Sequence, residues 1–293
     1  MQGRTYVPLY AVTISLFHFV VLPFPTRRLF DLSNTLPVIK LLDKVSFNSE
    51  KDHIVFTGDI IAKGPDSIGV VDLARKLNAS SVRGNHEDRM LLAWQSLHSK
   101  LHRIPYDEAD SEDQYTSDSK TGKKEKPPSS RGDRRERKLA RQFSQEQISF
   151  LQTFPVILQI PLPSGFSSSA GEYLVVHAGL VPGVATDRQD PFQAMNMRSI
   201  DLASQVPSEL RVFEPWERVW GHAMGLVQPA SARAVVIYGH DARRGLNVRK
   251  YTKGLDSACV RGGKLSALIL DAAGREKLVS VKCASHQHGG VDP

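Results

Sequence analysis

Four apolar runs, each followed by a glycine-containing turn and a side chain able to bind a metal, constrain this chain most strongly. Asp59 ends the stretch HIVFTGD, and Asn85 ends SSVRGN. His177 lies in LVVHAG, and His240 lies in VVIYGHD. Runs rich in β-branched and aliphatic residues are typical of buried strands. Residues that follow parallel strands meet at one edge of the sheet. The pattern therefore predicts a covered sheet with polar side chains gathered at one edge.

These four side chains offer a carboxylate, an amide carbonyl and two imidazoles. A mixed nitrogen and oxygen donor set suits Zn, Mn, Fe or Co, and it excludes a soft thiolate site. Taken singly, each residue is more often a turn residue, a helix cap or a satisfied core group. Four blocks that share one design favour a common divalent-metal site.

The blocks GDIIAKGPDS (residues 58–67), RGNHE, LVVHAG and GHD, in this order, resemble those of the calcineurin-like metallophosphoesterases, phosphoprotein-phosphatase branch. The resemblance implies an α/β fold: a β-sandwich flanked by helices, with the metal site on loops at one sheet edge. It also implies metal-dependent hydrolysis of phosphate compounds. Asp59, Asn85, His177 and His240 match metal ligands of the family, with Asp59 as the carboxylate that bridges two ions.

The resemblance also assigns catalytic residues. His86 matches the general acid, which protonates the leaving oxygen. Arg83 and Lys63 supply positive charge for phosphate oxygens. Arg243 and Arg244 come directly after GHD, and two cations beside a predicted ligand would raise the affinity for phosphate. Of the two, Arg243 is the candidate catalytic residue, because it would stabilise charge on the phosphoryl group.

The turn after Asp59 separates branches of the family. Protein phosphatases read Gly-Asp-x-Val-Asp-Arg-Gly there, whereas this chain has Ala62 and Lys63, so the aspartate that would pair with His86 is absent. The KGPDS ending and residues 196–198 and 254–270 resemble diadenosine-tetraphosphatase-like enzymes and fungal zinc-dependent endopolyphosphatases. The resemblance thus implies phosphoanhydride hydrolysis, with inorganic polyphosphate as the first substrate. A dinucleoside tetraphosphate or a phosphoprotein substrate is the alternative.

The first motif of the family, Gly-Asp-x-His-Gly, is absent from the chain. In the family its aspartate and histidine bind the first metal. Asp31 and Ser33 lie near the expected place, but Asp31 is more simply a helix start, with Ser33 or Asn34 as the cap. We therefore expect one metal ion here instead of two. An inactive phosphoesterase-like protein remains an alternative.

Residues 1–27 form an apolar segment of their own. The stretch Tyr6–Pro25 carries no formal charge and is flanked by arginines. About 20 apolar residues suffice to span a membrane, so a membrane anchor is one interpretation. A buried N-terminal strand and an artefact of gene prediction are the others. The anchor would place the protein in the vacuole, and its absence would favour the cytoplasm.

Composition favours an anionic substrate. The chain has 38 basic and 31 acidic residues, a formal charge of +7, and such a balance suits polyphosphate or nucleotides. Nucleic acid is not expected as a partner, because no aromatic residues are interleaved with the charges. The two cysteines, Cys259 and Cys283, imply no disulfide framework and are predicted to be core residues.

The order of predicted elements gives the organisation of the chain. A metallophosphoesterase domain is predicted over residues 28–285, with a charged, disordered insertion at about 102–137 and a tail over 286–293. Alternating strands and helices favour an α/β sheet. Predicted helices are 36–45, 68–77 with Ser67 as N-cap, 86–98, and 144–154 with a capping box. Predicted strands are 53–56, 80–83, 155–161, 172–176, 234–238, 264–270 and 277–283.

Overall fold

The computed structural model describes residues 11–14, 36–98, 131–162, 170–271 and 275–285. Helices in these ranges are α1 (Leu36–Val45), α2 (Ser67–Lys76), α3 (Asn85–His98), α4 (Arg131–Ala140), α5 (Gln145–Gln152), α6 (Pro191–Asn196) and α7 (Trp216–Leu226). Strands are β1 (Ala11–Ile14), β2 (His53–Phe56), β3 (Ser80–Ser81), β4 (Ile157–Pro161), β5 (Glu172–Val176), β6 (Ser199–Ile200), β7 (Pro207–Ser208), β8 (Glu214–Pro215), β9 (Ala234–Tyr238), β10 (Asn247–Val248), β11 (Thr252–Gly254), β12 (Lys264–Leu270) and β13 (Glu276–Lys282).

Two five-stranded sheets form the body of the fold. The first has the order β13-β12-β1-β2-β3, and the second has the order β10-β11-β9-β5-β4. β1, β2 and β3 run parallel in the first sheet, as do β5, β9 and β11 in the second. A small third sheet, β7-β6-β8, follows α6. The parallel strands direct their carboxyl ends to shared edges, where the predicted ligands follow.

Successive residues along β2 belong to two different hydrophobic clusters. Ile54 and Phe56 of β2 pack into a cluster with α1, α2, α3 and α5. Val55, between them, belongs to a second cluster that contains β5 and β9. Side chains of one strand therefore face the helices and the second sheet in turn. The predicted sandwich flanked by helices is confirmed.

Part of the apolar N-terminal segment is a strand in the middle of the first sheet. Ala11–Ile14 pairs in parallel with β2, with Val12 opposite Ile54, and antiparallel with β12. None of the helices in the described ranges has the length and apolar character needed to cross a membrane.

Two local predictions were wrong in detail. The N-cap of α2 is Asp66, whose carboxylate accepts from the backbone N–H of Gly69 at 2.7 Å, and Ser67 is instead the first helical residue. Residues 131–137, at the end of the predicted disordered insertion, are helical and belong to α4. The rest of the insertion and the tail lie outside the described residues. The capping box of Ser144 and Gln147 is confirmed.

The two cysteines are bonded to each other. Cys259 and Cys283 are buried, as predicted, but they form a disulfide between residues 24 positions apart, which the sequence analysis did not anticipate. The disulfide joins the segment before β12 to the end of β13. It therefore fixes the segment 255–263 to the edge of the first sheet.

Removing this disulfide should destabilise the fold. Closing a loop of this length restricts the unfolded chain, so the double variant Cys259→Ser with Cys283→Ser should lose about 3 kcal/mol in free energy of unfolding. Urea denaturation of both proteins, each with and without reductant, measures the difference. Reductant should lower the free energy of unfolding of the wild type and leave that of the double variant unchanged. A double variant as stable as the oxidised wild type would contradict the prediction.

Candidate metal centre

The four predicted ligands converge at the meeting edge of the two sheets. Asp59 follows β2 and Asn85 begins α3 just after β3, whereas His177 follows β5 and His240 follows β9. Gly58 allows the close approach: it has a φ of 84°, and a Cβ there would lie 2.8 Å from the Gly84 nitrogen and 2.9 Å from His177 Nδ1. A residue with a side chain at this position would force the two strand ends apart.

Donor atoms of these residues face one another at short range. His177 Nε2 lies 3.2 Å from Asp59 Oδ2, 3.2 Å from His240 Nδ1 and 3.1 Å from Asn85 Oδ1. One donor atom each from Asp59, His177 and His240 lies within 4.8 Å of the others. A single cation at the centre of this group has carboxylate, amide and imidazole donors on several sides, which suits a transition-metal ion.

Both imidazoles are held in the tautomer that a metal requires. His177 Nδ1 lies 2.7 Å from the carbonyl oxygen of Thr57, and His240 Nε2 lies 3.0 Å from the carbonyl oxygen of Asn196. Each ring donates its N–H outward to a backbone carbonyl, so the other nitrogen faces the centre, where it can bind a metal whenever it carries no proton. Backbone carbonyls in this position orient metal-binding histidines in many proteins.

The Asn85 side chain can serve the site in either orientation of its amide. Turned one way, its nitrogen would donate to Asp59 and His177. Turned the other way, its oxygen faces the same centre and could bind a metal. The position of the side chain, and not the orientation of its amide, is what fits a metal site.

Electrostatics keep two of the ligands in the protonation state that binds metal. Burial alone would raise the pKa of Asp59, but the charges of His177 and His86 hold the pKa well below its ordinary value. Burial, reinforced by the charges of His177 and Arg198, keeps the pKa of His240 well below its ordinary value. Burial also opposes charge on His177, but the carboxylate of Asp59 outweighs it and raises the pKa of His177. A metal would compete with that proton.

Glu87 is a site residue that sequence analysis missed. It is fully buried, and its Oε2 accepts from the backbone nitrogens of Asp59 at 2.7 Å and Gly84 at 2.9 Å. Burial, followed by the charge of Asp59, raises the pKa of Glu87 to about 7. The carboxylate thus joins the turns that carry two of the ligands. The sequence does carry a signal for this role: Glu87 is three residues after Gly84. A glutamate at the third position of a helix can accept from the backbone N–H of the residue just before the helix.

His86, the predicted general acid, lies beside the ligands. Its Nε2 is 3.8 Å from Asp59 Oδ2, and its backbone N–H donates to Asp59 Oδ1 at 3.1 Å. Within the described ranges its buried Nδ1 has no hydrogen-bond partner. Burial, with the charges of Lys63 and Arg89, lowers the pKa of His86 to about 4, although Asp59 acts in the opposite sense. His86 is therefore neutral at pH 7 before substrate binds.

The predicted phosphate-binding cations differ in position. Lys63 lies close enough for its charge to lower the pKa values of Asp59 and His86. Arg83 instead turns toward α5, where it donates to the carbonyl oxygen of Gln152 at 3.2 Å, and it lies 3.8 Å from Asp88 Oδ1.

On the other side of the site, Arg243 lies near Arg198, whose pKa it helps to lower. Arg244 is neutralised by Glu217 at 2.5 Å and Asp241 at 3.3 Å. These two pairs hold the Arg244 guanidinium against acidic side chains, and its side chain is only 18% exposed, so its role in binding phosphate stays a prediction.

Arg198 was noted in the sequence only as a mark of the family branch, but the structure places it beside His240. Its Nη1 donates to the carbonyl oxygen of Asn196 at 3.4 Å, the same atom that accepts from His240 Nε2. The small third sheet holds it there, because the Arg198 backbone N–H donates to Ser208 at 2.8 Å. Strands of two residues leave no readable pattern in a sequence, so this cation could not be placed in advance.

Metal content should depend on the converging histidines. His240→Ala removes one donor and should lower the metal bound by the purified protein from one ion per chain to well below one. His222→Ala, an exposed histidine on α7, is the matched control and should leave it unchanged. Elemental analysis after dialysis gives both values. Equal metal content in the wild type and His240→Ala would contradict the assignment.

Comparison with known proteins finds relatives that are named as phosphatases. A zinc-dependent endopolyphosphatase of Saccharomyces cerevisiae is 29% identical over 245 residues, covering 77% of this chain and 69% of that protein. A symmetrical bis(5'-nucleosyl)-tetraphosphatase of Nitrosospira multiformis is 23% identical over 278 residues, covering 79% and 87%. Serine/threonine-protein phosphatase 1 of Salmonella typhimurium is 41% identical over 64 residues, covering 22% and 30%.

Structural comparison gives the same fold. A crystal structure of a candidate diadenosine tetraphosphatase matches with a TM-score of 0.63 at 26% sequence identity, and the match covers 95% of both chains. The sequence profile of the calcineurin-like phosphoesterases matches residues 34–289. The chain therefore belongs to the calcineurin-like phosphoesterase family of metal-dependent hydrolases.

Proposed function

We propose that this chain hydrolyses phosphoanhydride bonds with the help of a divalent metal, and that inorganic polyphosphate is its first substrate. The observation that carries the proposal is the ligand cluster itself: both imidazoles are fixed with their lone pairs inward, beside a buried carboxylate. A dinucleoside polyphosphate is the close alternative. Relatives named for each of these two activities support the substrate class.

Asp59, Asn85, His177 and His240 would hold the metal in this proposal. When bound, a divalent ion supplies Lewis acidity toward a phosphoryl oxygen and toward water. Glu87 fixes the turn that carries Asp59. These residues therefore set the position at which the phosphoryl group is bound, without themselves exchanging protons with it.

His86 and a set of basic side chains would act on the substrate directly. His86 would protonate the oxygen that leaves, and the negative charge of a bound substrate would raise its pKa toward the range useful for an acid. Lys63, Arg198 and Arg243 would balance the charge on the phosphoryl oxygens. Arg83 would need to leave Gln152 to take part.

An inactive phosphoesterase-like protein is the second candidate, and the position of β1 bears on it. The first motif of the family follows the first strand, which here ends at Ile14. Counted along the sequence from that residue, Leu16 stands at the aspartate position of the motif and His18 at the histidine position. The sequence thus lacks the first carboxylate in this register, and Asp31 lies outside the described residues. The missing carboxylate favours binding of one metal ion per chain and slow hydrolysis.

Substrate preference tests the proposal. Purified protein with added Zn²⁺ or Mn²⁺ should release phosphate from polyphosphate faster than from a phosphopeptide, since the cations favour a high density of negative charge. Phosphate release from polyphosphate, diadenosine tetraphosphate and a phosphopeptide is compared at equal concentration. Asp59→Asn is the control and should abolish all release. A preference for the phosphopeptide would place the protein among the protein phosphatases, and no release from any substrate would favour the inactive candidate.

The role of His86 has a separate test. His86→Asn should slow polyphosphate hydrolysis by about 10²–10⁴-fold if the imidazole supplies a proton to the leaving oxygen. The metal content should stay that of the wild type, because His86 is not among the donor atoms that converge. Rates and metal content are measured on the same preparation. Loss of metal in the variant would show that His86 is a ligand or a structural residue.

A further inference from the structure

A second group of charges lies directly beside the metal centre, on the side of His240. Arg198 and Arg244 approach it from different elements, and Arg211 reaches across from the segment between β7 and β8. Asp241, the residue after His240, accepts from Arg211 and also pairs with Arg244. The group is therefore tied to the turn that carries a metal ligand.

Arg198 forms no ion pair with an acidic side chain among the described residues, although the charges of Asp241 and Glu209 act on it. Its Nη1 donates to the carbonyl oxygens of Asn196 and Glu209, at 3.4 and 3.1 Å. Its Nε is buried and has no hydrogen-bond partner among the described residues. A guanidinium stays charged in proteins, and a buried donor without a partner is costly. Such a group is poised to bind an anion.

Arg211 is held in a fixed orientation by a carboxylate. Its Nε lies 3.2 Å from both oxygens of Asp241, and its Nη2 lies 2.5 Å from Oδ1. The side chain is 36% exposed, and no hydrogen bond of its Nη1 occurs in the described part of the chain. One edge of the guanidinium is thus occupied by Asp241, which leaves the Nη1 donors for another acceptor.

The like charges of Arg198, Arg211 and Arg243 lie close enough to act on one another. The charges of Arg211 and Arg243, after burial, lower the pKa of Arg198, and Asp241 and Glu209 oppose them. Asp241 lies among these cations and offsets part of their charge, but one carboxylate cannot balance all of the arginines beside it, so an excess of positive charge is left for a further anion. Phosphate suits them, because arginine binds its oxygens with paired hydrogen bonds.

We infer that Arg198 and Arg211 form a phosphate subsite beside the metal centre, which binds the phosphate group next to the one that is cleaved. The inference rests on the proposed phosphoanhydride function and makes it more specific. A phosphomonoester has one phosphate, so it cannot occupy the centre and the subsite together. An anhydride can, and its second phosphate would meet a cation already oriented by Asp241.

Binding of two non-hydrolysable probes tests the subsite. Methylphosphonate has one phosphoryl group, and methylenebisphosphonate has two joined by a bridge that cannot be hydrolysed. Isothermal titration of the metal-loaded wild type should give a lower Kd for the second probe. Arg211→Gln should raise the Kd for methylenebisphosphonate about tenfold, the loss of roughly one charge-assisted hydrogen bond, and leave the Kd for methylphosphonate unchanged. Arg198→Gln, closer to the centre, should weaken both.

Arg275→Gln is the matched control for the loss of a charge. Arg275 is 83% exposed and pairs with Asp271 at the turn between β12 and β13, at the sheet edge opposite the site. This variant should bind both probes as the wild type does. Thermal unfolding of each variant checks that the fold is intact.

The outcomes separate the subsite from a structural role. If Arg211 merely supports Asp241 and the turn of His240, Arg211→Gln will weaken both probes equally, and the inference is overturned. Equal affinity of the wild type for the two probes overturns it as well. A wild type that binds as expected but does not hydrolyse polyphosphate would contradict the proposed function and leave the subsite standing.

Discussion

The ring of His177 joins the two sheets at the point on which the whole site depends. Its Nδ1 donates to the carbonyl of Thr57, on the first sheet, while the residue itself follows β5 of the second. The other ring nitrogen lies within 3.2 Å of donor atoms from Asp59, Asn85 and His240. One fully buried side chain thus fixes the distance between the sheet edges and orients the ligands around a common point.

The turns at Asp59 and His240 have strained, left-handed backbone conformations that need contacts with neighbouring side chains to be stable. Asp59 and His240 have positive φ angles of 56° and 68°, a region that costs a residue with a side chain on the order of 1–2 kcal/mol. Glu87 holds the first of these turns through two backbone nitrogens. Asp241, held by Arg211 and Arg244, follows the second. Each strained ligand therefore has a buried or partly buried ionic anchor within reach, and the strain is concentrated where donor atoms must converge.

Local pattern was enough to predict much of the fold. Strands such as β2, β5, β9 and β12 were predicted with the bounds that the structure shows, because apolar β-branched runs ended by glycine turns leave few alternatives. The same blocks identified the four side chains that converge, Asp59, Asn85, His177 and His240. What escaped prediction depends on distant pairing. The bond between Cys259 and Cys283 and the third sheet that presents Arg198 arise from contacts between segments with no local signal.

The N-terminal strand shows the same limit in another form. Val12 pairs with Ile54 and with Ile269, so its place in the sheet is decided by residues far along the chain. From the sequence, an artefact of gene prediction was favoured for this segment, a membrane anchor fitted moderately, and a buried strand was a further alternative. That ambiguity led us to look for the first motif near Asp31, whereas a count along the sequence from the end of β1 gives residues 15–19. An apolar run can be recognised locally, but its partners cannot.

Ala62 connects the local chemistry of the site with the choice of substrate. Protein phosphatases of this family have an aspartate at the position that Ala62 fills here, and a carboxylate partner would raise the pKa of His86. In this chain the buried Nδ1 of His86 lacks a hydrogen-bond partner among the described residues. Burial, with the charges of Lys63 and Arg89, lowers the pKa of His86 to about 4 although Asp59 opposes the shift, and no second carboxylate at position 62 adds to that opposition. A weakly protonated imidazole is a poor acid for a serine alkoxide, which must gain a proton to leave. A departing phosphate is far less basic and needs less protonation in the transition state. In the proposed mechanism, with His86 as the acid, alanine at position 62 therefore suits an anhydride substrate better than a phosphoserine ester.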